Sequence, residues 1–287
     1  MRSAGEMIVS LNPCLDADEY LLPGSRPLTR EELDLISKAR AVLLPQGCSP
    51  ALYKACAAAG PALFPEYGPR FAFPGKIGQS LLFELHRLPR PLTFRWRSPD
   101  EFLRARSSGE SGGHGLPFIV KKDSGHEGAG VFLVQDEQSL AAAINAVCRD
   151  GGMGFVTQNF VPPGGAVLRV VIIGERTFSY WKRSSGGDNV IVTIARDAAI
   201  DHRWKPELQA AGGKLCRRLA SSTGINLAAV DVIFALDEPP EPLLLEVNYF
   251  FGRRGLGGSE NYYRLVLEAA RQWVSKLGHD PGRIQPV

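Results

Sequence analysis

Apolar positions recur along the chain with two periods, and their alternation sets the first expectation. Short apolar runs at Met7–Leu11, Ala41–Leu44 and Ala62–Phe64 read as strands. Between them, Leu33, Ile36 and Ala39 fall at helical spacing after the capping box Thr29-Arg30-Glu31-Glu32. Ser49 opens a second helix, which Gly60-Pro61 stops after Ala59. Strands alternating with helices imply a small parallel sheet. Its first turn, LNPCLDADEY, lacks a glycine-rich phosphate loop, so it does not read as a dinucleotide domain. The segment KIGQSLLFELHRL then carries Ile77, Leu81, Leu82 and Leu85 on one helical stripe, ended by Pro89-Arg90-Pro91.

The remaining two thirds changes character. Strands now follow one another as hairpins: PFIVK and VFLV around Ser124–Gly130, Val167–Ile173 and Thr177–Arg183 around Gly174-Glu175, and two long runs between Leu227 and Gly252. Helices are expected from Asp136 to Cys148, from Pro206 to Thr223 with Gly224 as its stop, and after Ser259 as a cap. Gly212-Gly213 inside the second costs about 1 kcal/mol per glycine, which suggests close packing there. The fold class expected is α/β (α+β).

Polar residues inside apolar strands carry the chemistry. Asp231 interrupts VDVIF, and Glu246 and Asn248 interrupt LLLEVN. Glu246 and Asn248 share a strand face. With a symmetric turn, Asp231 lies opposite Asn248. Three oxygen donors on one patch of a buried hairpin suit a hard divalent cation such as Mg²⁺, with Mn²⁺ as an alternative. Arg169 sits within VLRVVII, where an arginine is costly without an anionic partner, and Arg183 ends the next strand; both suit a phosphate or carboxylate clamp. Lys121 ends its strand before the loop Ser124-Gly125-His126-Glu127-Gly128-Ala129-Gly130, which either folds over phosphates or is a plain hairpin. Arg253 and Arg254 either hold a substrate carboxylate or lie in a solvated loop.

Composition narrows the partners. Of 287 residues, 44% are hydrophobic and 22% charged, and the net charge of +3 is too small to argue for nucleic acid or an acidic membrane. Five scattered cysteines without metal-type spacing read as reduced thiols of a cytoplasmic protein. No apolar run reaches the ~20 residues of a membrane helix, and the first residues lack a signal-peptide core. A homo-oligomer is compatible with the sequence.

From Lys76 to about Leu277 the chain resembles the ATP-grasp superfamily, with RimK-type glutamate ligases and glutathione-synthase relatives nearest. The pieces GKIGQSLLFELHRLPRPLT, PFIVKKDSGHEGAGVFLV, FVTQNFV, VLRVVIIGE…WKR, AAVDVIF and LLLEVNYFFG come in family order. The resemblance implies a pre-ATP-grasp unit at 1–95 and an ATP-grasp domain at 96–287, split into a lid at 96–160 and a metal-binding part at 161–287. It implies that Lys76 and Lys121 contact ATP phosphates and that the loop with Ser124, Gly125, Gly128 and Gly130 covers them. Gln158, Asn159, Phe160 and Val161 would form the hinge that reads adenine, largely through backbone groups, and Asp231, Glu246 and Asn248 would hold Mg²⁺. Arg169 would lie near the γ-phosphate, with Arg183 and Asn189 nearby. The implied activity is ligation of a small-molecule or peptide carboxylate to an amine through an acyl phosphate. Phosphotransfer to a hydroxyl and a non-catalytic ATP-binding module are the rival readings. The chain departs from the family at Asn159 (commonly Glu), at Val167 (Asp), at Asn189–Ile194 (an NLHRGG-like segment) and at Tyr249–Gly252 (a Ser-Pro-Gly type), which bears on the acceptor.

Overall fold

The computed structural model describes residues 6–108, 113–123, 130–149, 154–184, 199–235 and 240–287. The N-terminal unit comprises β1 (Ile8–Ser10), β2 (Leu15–Asp16), β3 (Glu19–Tyr20), α1 (Arg30–Lys38), β4 (Ala41–Leu43), α2 (Pro50–Ala59), β5 (Ala62–Phe64), α3 (Gly68–Ala72) and α4 (Gly75–Leu85). Its sheet runs β3-β1-β4-β5 and is parallel throughout. α1 starts at the capping box: the Glu32 N–H donates to Thr29 Oγ1 and the Thr29 N–H to Glu32 Oε2. α2 ends on Gly60 in the left-handed region, φ +94°.

A small antiparallel sheet follows, built from β6 (Thr93–Trp96), β7 (Phe118–Lys122), β8 (Val131–Val134) and β9 (Phe155–Asn159) in the order β6-β9-β7-β8. α5 (Pro99–Ser108) and α6 (Glu137–Arg149) belong to this unit. Phe102, Phe118, Val120, Leu140, Ile144 and Phe155 form its own apolar core. All four residues of β6 pair with β9, so this sheet begins at Thr93 and straddles the expected division at residue 95.

The large sheet runs β12 (Ala199–Asp201), β11 (Arg176–Arg183), β10 (Ala166–Ile173), β13 (Leu227–Phe234) and β14 (Pro242–Asn248), antiparallel throughout. α7 (Pro206–Thr223) covers the face with Leu168, Val170, Val230 and Val232. Its Gly212 meets that face so closely that a Cβ would stand 2.4 Å from Leu168 Cδ2, which accounts for the glycine. The opposite face, at the end with Val171, Ile173 and Ala229, packs on α8 (Ser259–Lys276). Gly258, not Ser259, occupies the position before α8, and Ser259 is its first residue.

α8 also packs against Ile8, Leu43 and Phe64 of the parallel sheet, so the N-terminal unit and the large sheet share one core. The chain end returns as β15 (Gln285–Pro286), which pairs with β2, and Arg283 forms an ion pair with Asp18. Among the described residues no helix is long and apolar enough to cross a membrane.

Candidate functional site

At the end of the large sheet away from α8, the apolar face turns polar. Cross-strand register places Tyr180 opposite Arg169, Arg169 opposite Asp231, and Asp231 opposite Glu246. These four side chains form one row over four strands. Asn248 lies opposite Ala229, not opposite Asp231 as a symmetric turn would give. The cause is a register shift after Asp231: Val232 pairs with Leu244, which leaves Leu245 as an extra residue in β14. The bulge sends Leu244 and Val247 into the α7 core and leaves Glu246 and Asn248 on the polar face.

Asp231 is almost wholly buried and answers two cations. Arg169 Nε donates to Oδ1 at 2.9 Å and its Nη2 to Oδ2 at 2.7 Å, while Lys182 Nζ donates to Oδ1 at 2.9 Å. Asn248 Nδ2 stands 3.5 Å from Oδ2, at the limit of a hydrogen bond. Burial alone would raise the Asp231 pKa, but Lys182 and Arg169 outweigh it and hold the carboxyl below its usual value. Burial lowers Lys182 to about 8 despite the attraction of Asp231. Burial also opposes the charge on Arg169, and Asp231 more than restores it.

Lys182 was not singled out in the sequence, where WKR reads as a strand end with Arg183 as the notable cation. Strand alternation was the available signal: with Arg169 facing Tyr180, the residue two further along β11 must share that face. Arg183 therefore points the other way. It pairs with Asp201 at 3.0 Å and lies 4.8 Å from the Trp204 ring, outside the Asp231 cluster.

The small sheet supplies the facing side. Lys121 is buried, and its Nζ donates to Gln158 Oε1 at 2.6 Å; Gln158 Nε2 donates to Thr93 Oγ1 at 2.9 Å. Burial lowers the Lys121 pKa to about 8; Glu246 pulls it up and Lys76 pushes it down, so all three sense one another. A cavity of about 20 Å³, room for about one water, separates Lys76, Lys121, Gln158 and Glu246. Within the expected hinge, Asn159 turns to the opposite face from Gln158, where its Oδ1 lies 2.5 Å from Nδ1 of His114. His114 reaches Thr157 Oγ1 through Nε2 and stacks on Phe118, and burial lowers its pKa. The Asn159 backbone N–H donates to Leu92 O, and Phe160 and Val161 follow half-buried.

The other expected residues are dispersed. Gly130, at φ +84°, closes the β7–β8 hairpin through its carbonyl to the Lys122 N–H. Ser124, Gly125, Gly128 and Asn189 lie outside the described residues. The Arg253 guanidinium rests over the Tyr262 and Tyr263 rings at 4.6 and 4.5 Å and donates to Ser259 Oγ, so it turns toward α8. Arg254 opens the short 3-10 turn Arg254–Leu256, whose Gly255 leaves room for the Tyr180 ring; a Cβ there would lie 2.1 Å from Tyr180 Cζ.

The donor set suits one kind of metal. Among the described residues no group of three or more His, Cys, Asp or Glu converges, so the patch offers two carboxylates and an amide oxygen. Glu246 makes no hydrogen bond or ion pair to another described residue and lines the cavity next to Lys76 and Lys121. So few protein oxygens beside two lysines fit Mg²⁺, which is usually held by one or two carboxylates with waters and substrate phosphates completing its shell.

Known proteins share this fold. The fold is similar to that of a RimK-domain ATP-grasp protein from Sphaerobacter thermophilus DSM 20745, with a TM-score of 0.57 and 17% identity over 91% of this chain and 97% of that one. It is also similar to an L-amino acid ligase from Bacillus licheniformis, with a TM-score of 0.53 and 17% identity over 83% and 59% of the two chains. These likenesses define an ATP-grasp fold of mixed α/β class. The RimK-like ATP-grasp domain model matches residues 107–269, more than half the chain, and the chain belongs to that family. A probable alpha-L-glutamate ligase from Parasynechococcus marenigrum (strain WH8102) is 30% identical over 63% of this chain and 37% of its own length. Inositol-tetrakisphosphate 1-kinase 2 of Glycine max is 30% identical over 53% of this chain and 52% of its own. The chain thus spans about a third to a half of the length of these curated relatives.

Proposed function

We propose that the chain is an ATP-dependent carboxylate–amine ligase. The observation that carries this is the row Arg169–Asp231–Glu246, centred on the buried Asp231 with Lys182 beside it, facing Lys121 and Lys76 across a cleft. Arg169, Lys182, Lys121 and Lys76 are four cations against the two carboxylates of Asp231 and Glu246, and that excess of positive charge is what an incoming phosphoryl group would complement. Family membership and relatives named as glutamate ligases support the same reading.

In this account Lys121 and Lys76 bind the triphosphate, and backbone groups at 158–161 hold adenine. Ser124–Gly130 covers the phosphates. Glu246, the Asn248 carbonyl and the less engaged Oδ2 of Asp231 would hold Mg²⁺, which when bound would neutralise triphosphate charge. Arg169 and Lys182, fixed by Asp231, stabilise charge on the transferring group. A substrate carboxylate oxygen bonds to the γ-phosphorus as the bond to the bridging oxygen breaks and ADP leaves. The amine nitrogen then bonds to the acyl carbon, phosphate departs, and the amine loses a proton to solvent. Residues 1–92 serve as the pre-ATP-grasp unit and 93–160 as the lid over 161–287, since the division expected at residue 95 falls inside β6. The five free cysteines suit a reducing, cytoplasmic setting.

The kinase relative keeps phosphotransfer to a hydroxyl as the second reading. Product analysis with ATP, Mg²⁺ and pooled acids, amines and polyols separates the two. Ligation yields an amide with one phosphate released per amide, whereas a phosphorylated hydroxyl without free phosphate would replace the ligase reading.

A further inference from the structure

A cavity of about 490 Å³ opens beside Glu246 and Asn248 and runs to Arg70 of the N-terminal unit. Its reactive end is the cleft already described, with Lys76 shared between them. Its lining is rich in aromatic rings, with Phe71 and Phe73 from the N-terminal unit and Tyr249 and Phe250 from the segment after β14. Phe250 is 75% exposed at this cavity, an apolar ring with little of its own chain to cover it.

The far end carries a cation held by rings. The Arg70 guanidinium lies 4.9 Å from the Phe71 ring, 5.4 Å from Tyr67 and 5.9 Å from Tyr249. It donates one N–H to Cys48 O at 3.2 Å and has no carboxylate partner among the described residues. A guanidinium has five N–H donors, and stacking fixes its plane without using them. The position is a favoured one, since α3 follows β5 at the carboxyl edge of the parallel sheet, where such sheets bind ligands.

The walls are also braced. Gln79 Nε2 donates to Val247 O and accepts from the Val247 N–H through Oε1, both at 2.9 Å, which locks α4 to β14. Gln46 Nε2 donates to Tyr249 O at 3.2 Å from the N-terminal unit. A pocket so preformed loses little entropy when a rigid ligand enters.

We propose that this cavity is the acyl-substrate pocket, and that it takes a carboxylic acid with a flat aromatic body and a second anionic group. The reacting carboxylate lies at the Glu246–Asn248 end, the ring between Phe71 and Phe250, and the second anion on Arg70. This rests on the ligase reading.

The test is calorimetric binding of three acids to the full chain with Mg²⁺ and a non-hydrolysable ATP analogue: 4-carboxyphenylacetate, phenylacetate and glutamate. The aromatic diacid is expected to bind about ten- to hundredfold more tightly than either of the others. Arg70→Met should erase its advantage over phenylacetate, and Phe250→Ala, an exposed change that leaves the fold intact, should weaken both aromatic acids several-fold. Glutamate binding as tightly as the diacid, or no loss in Phe250→Ala, overturns the proposal. Phosphate release is measured alongside, with ATP in place of the analogue and with pooled acids and amines present. Release with glutamate that Arg70→Met and Phe250→Ala leave at the wild-type rate discards the pocket and keeps the ligase. Arg70-dependent diacid binding without phosphate release from any acid keeps the pocket and discards the ligase.

Discussion

The two antiparallel sheets that face each other across the cleft each bury a lysine, and they hold it differently. On the large sheet Lys182 shares Asp231 with Arg169, so charge is met by charge. On the small sheet, among the described residues, Lys121 donates only to the neutral amide of Gln158, and its largest carboxylate influence is Glu246 on the other side. The large sheet therefore carries a self-contained ion cluster, whereas the small sheet carries a cation whose counter-charge lies across the cleft. A ligand with several negative charges would satisfy the second arrangement most.

The largest expected effect tests the self-contained side. Asp231→Asn leaves Arg169 and Lys182 buried without their anion and should cost about 3–5 kcal/mol in urea unfolding. A loss under about 1 kcal/mol would remove the distinction between the sheets. Next, Gly212→Ala pushes a methyl into Leu168 and should cost about 1–3 kcal/mol, if the large sheet is the closely packed member. Lys121→Met should behave in the opposite way. Stability should move by at most about 1–2 kcal/mol, while ATP affinity should fall about tenfold or more.

The smallest effect is the pH dependence of Lys121. Its folded pKa of about 8 lies below the reference of 10.5, so between these values the unfolded chain binds more protons and stability rises with pH. Over the same window the charge that would meet a triphosphate is lost. ATP affinity should weaken above pH 8, by no more in all than the loss in Lys121→Met, and Lys121→Met should flatten that profile.

The sequence revealed what local pattern encodes. α1 and α2 declared themselves through Thr29 and Ser49, the β10–β11 hairpin through Gly174, and α7 by Pro206 and Gly224. The polar interruptions Arg169, Asp231, Glu246 and Asn248 were legible because apolar strands made each one conspicuous. Position across the sheet was less legible. A single extra residue at Leu245 moved Asn248 off Asp231 and set Glu246 there, and no turn motif announced the bulge. Lys182 was hidden by its neighbour Arg183, whereas the turn of Asn159 away from Gln158 follows from strand alternation. α5 was missed although Ser98 and Glu101 form its start, with the Glu101 N–H donating to Ser98 Oγ and the Arg97 N–H to Glu101 Oε2. His114 sits in a glycine-rich stretch where nothing in the pattern foretells its burial.

The most direct measurement is calorimetric titration of ATP, with and without Mg²⁺, into the wild-type chain and Glu246→Ala, with Tm recorded for both. Glu246 makes no hydrogen bond or ion pair to another described residue, so Tm should stay within a degree or two. Mg²⁺ should tighten ATP binding in the wild type and fail to do so in the variant. Equal tightening by Mg²⁺ in both proteins at equal Tm would contradict the account.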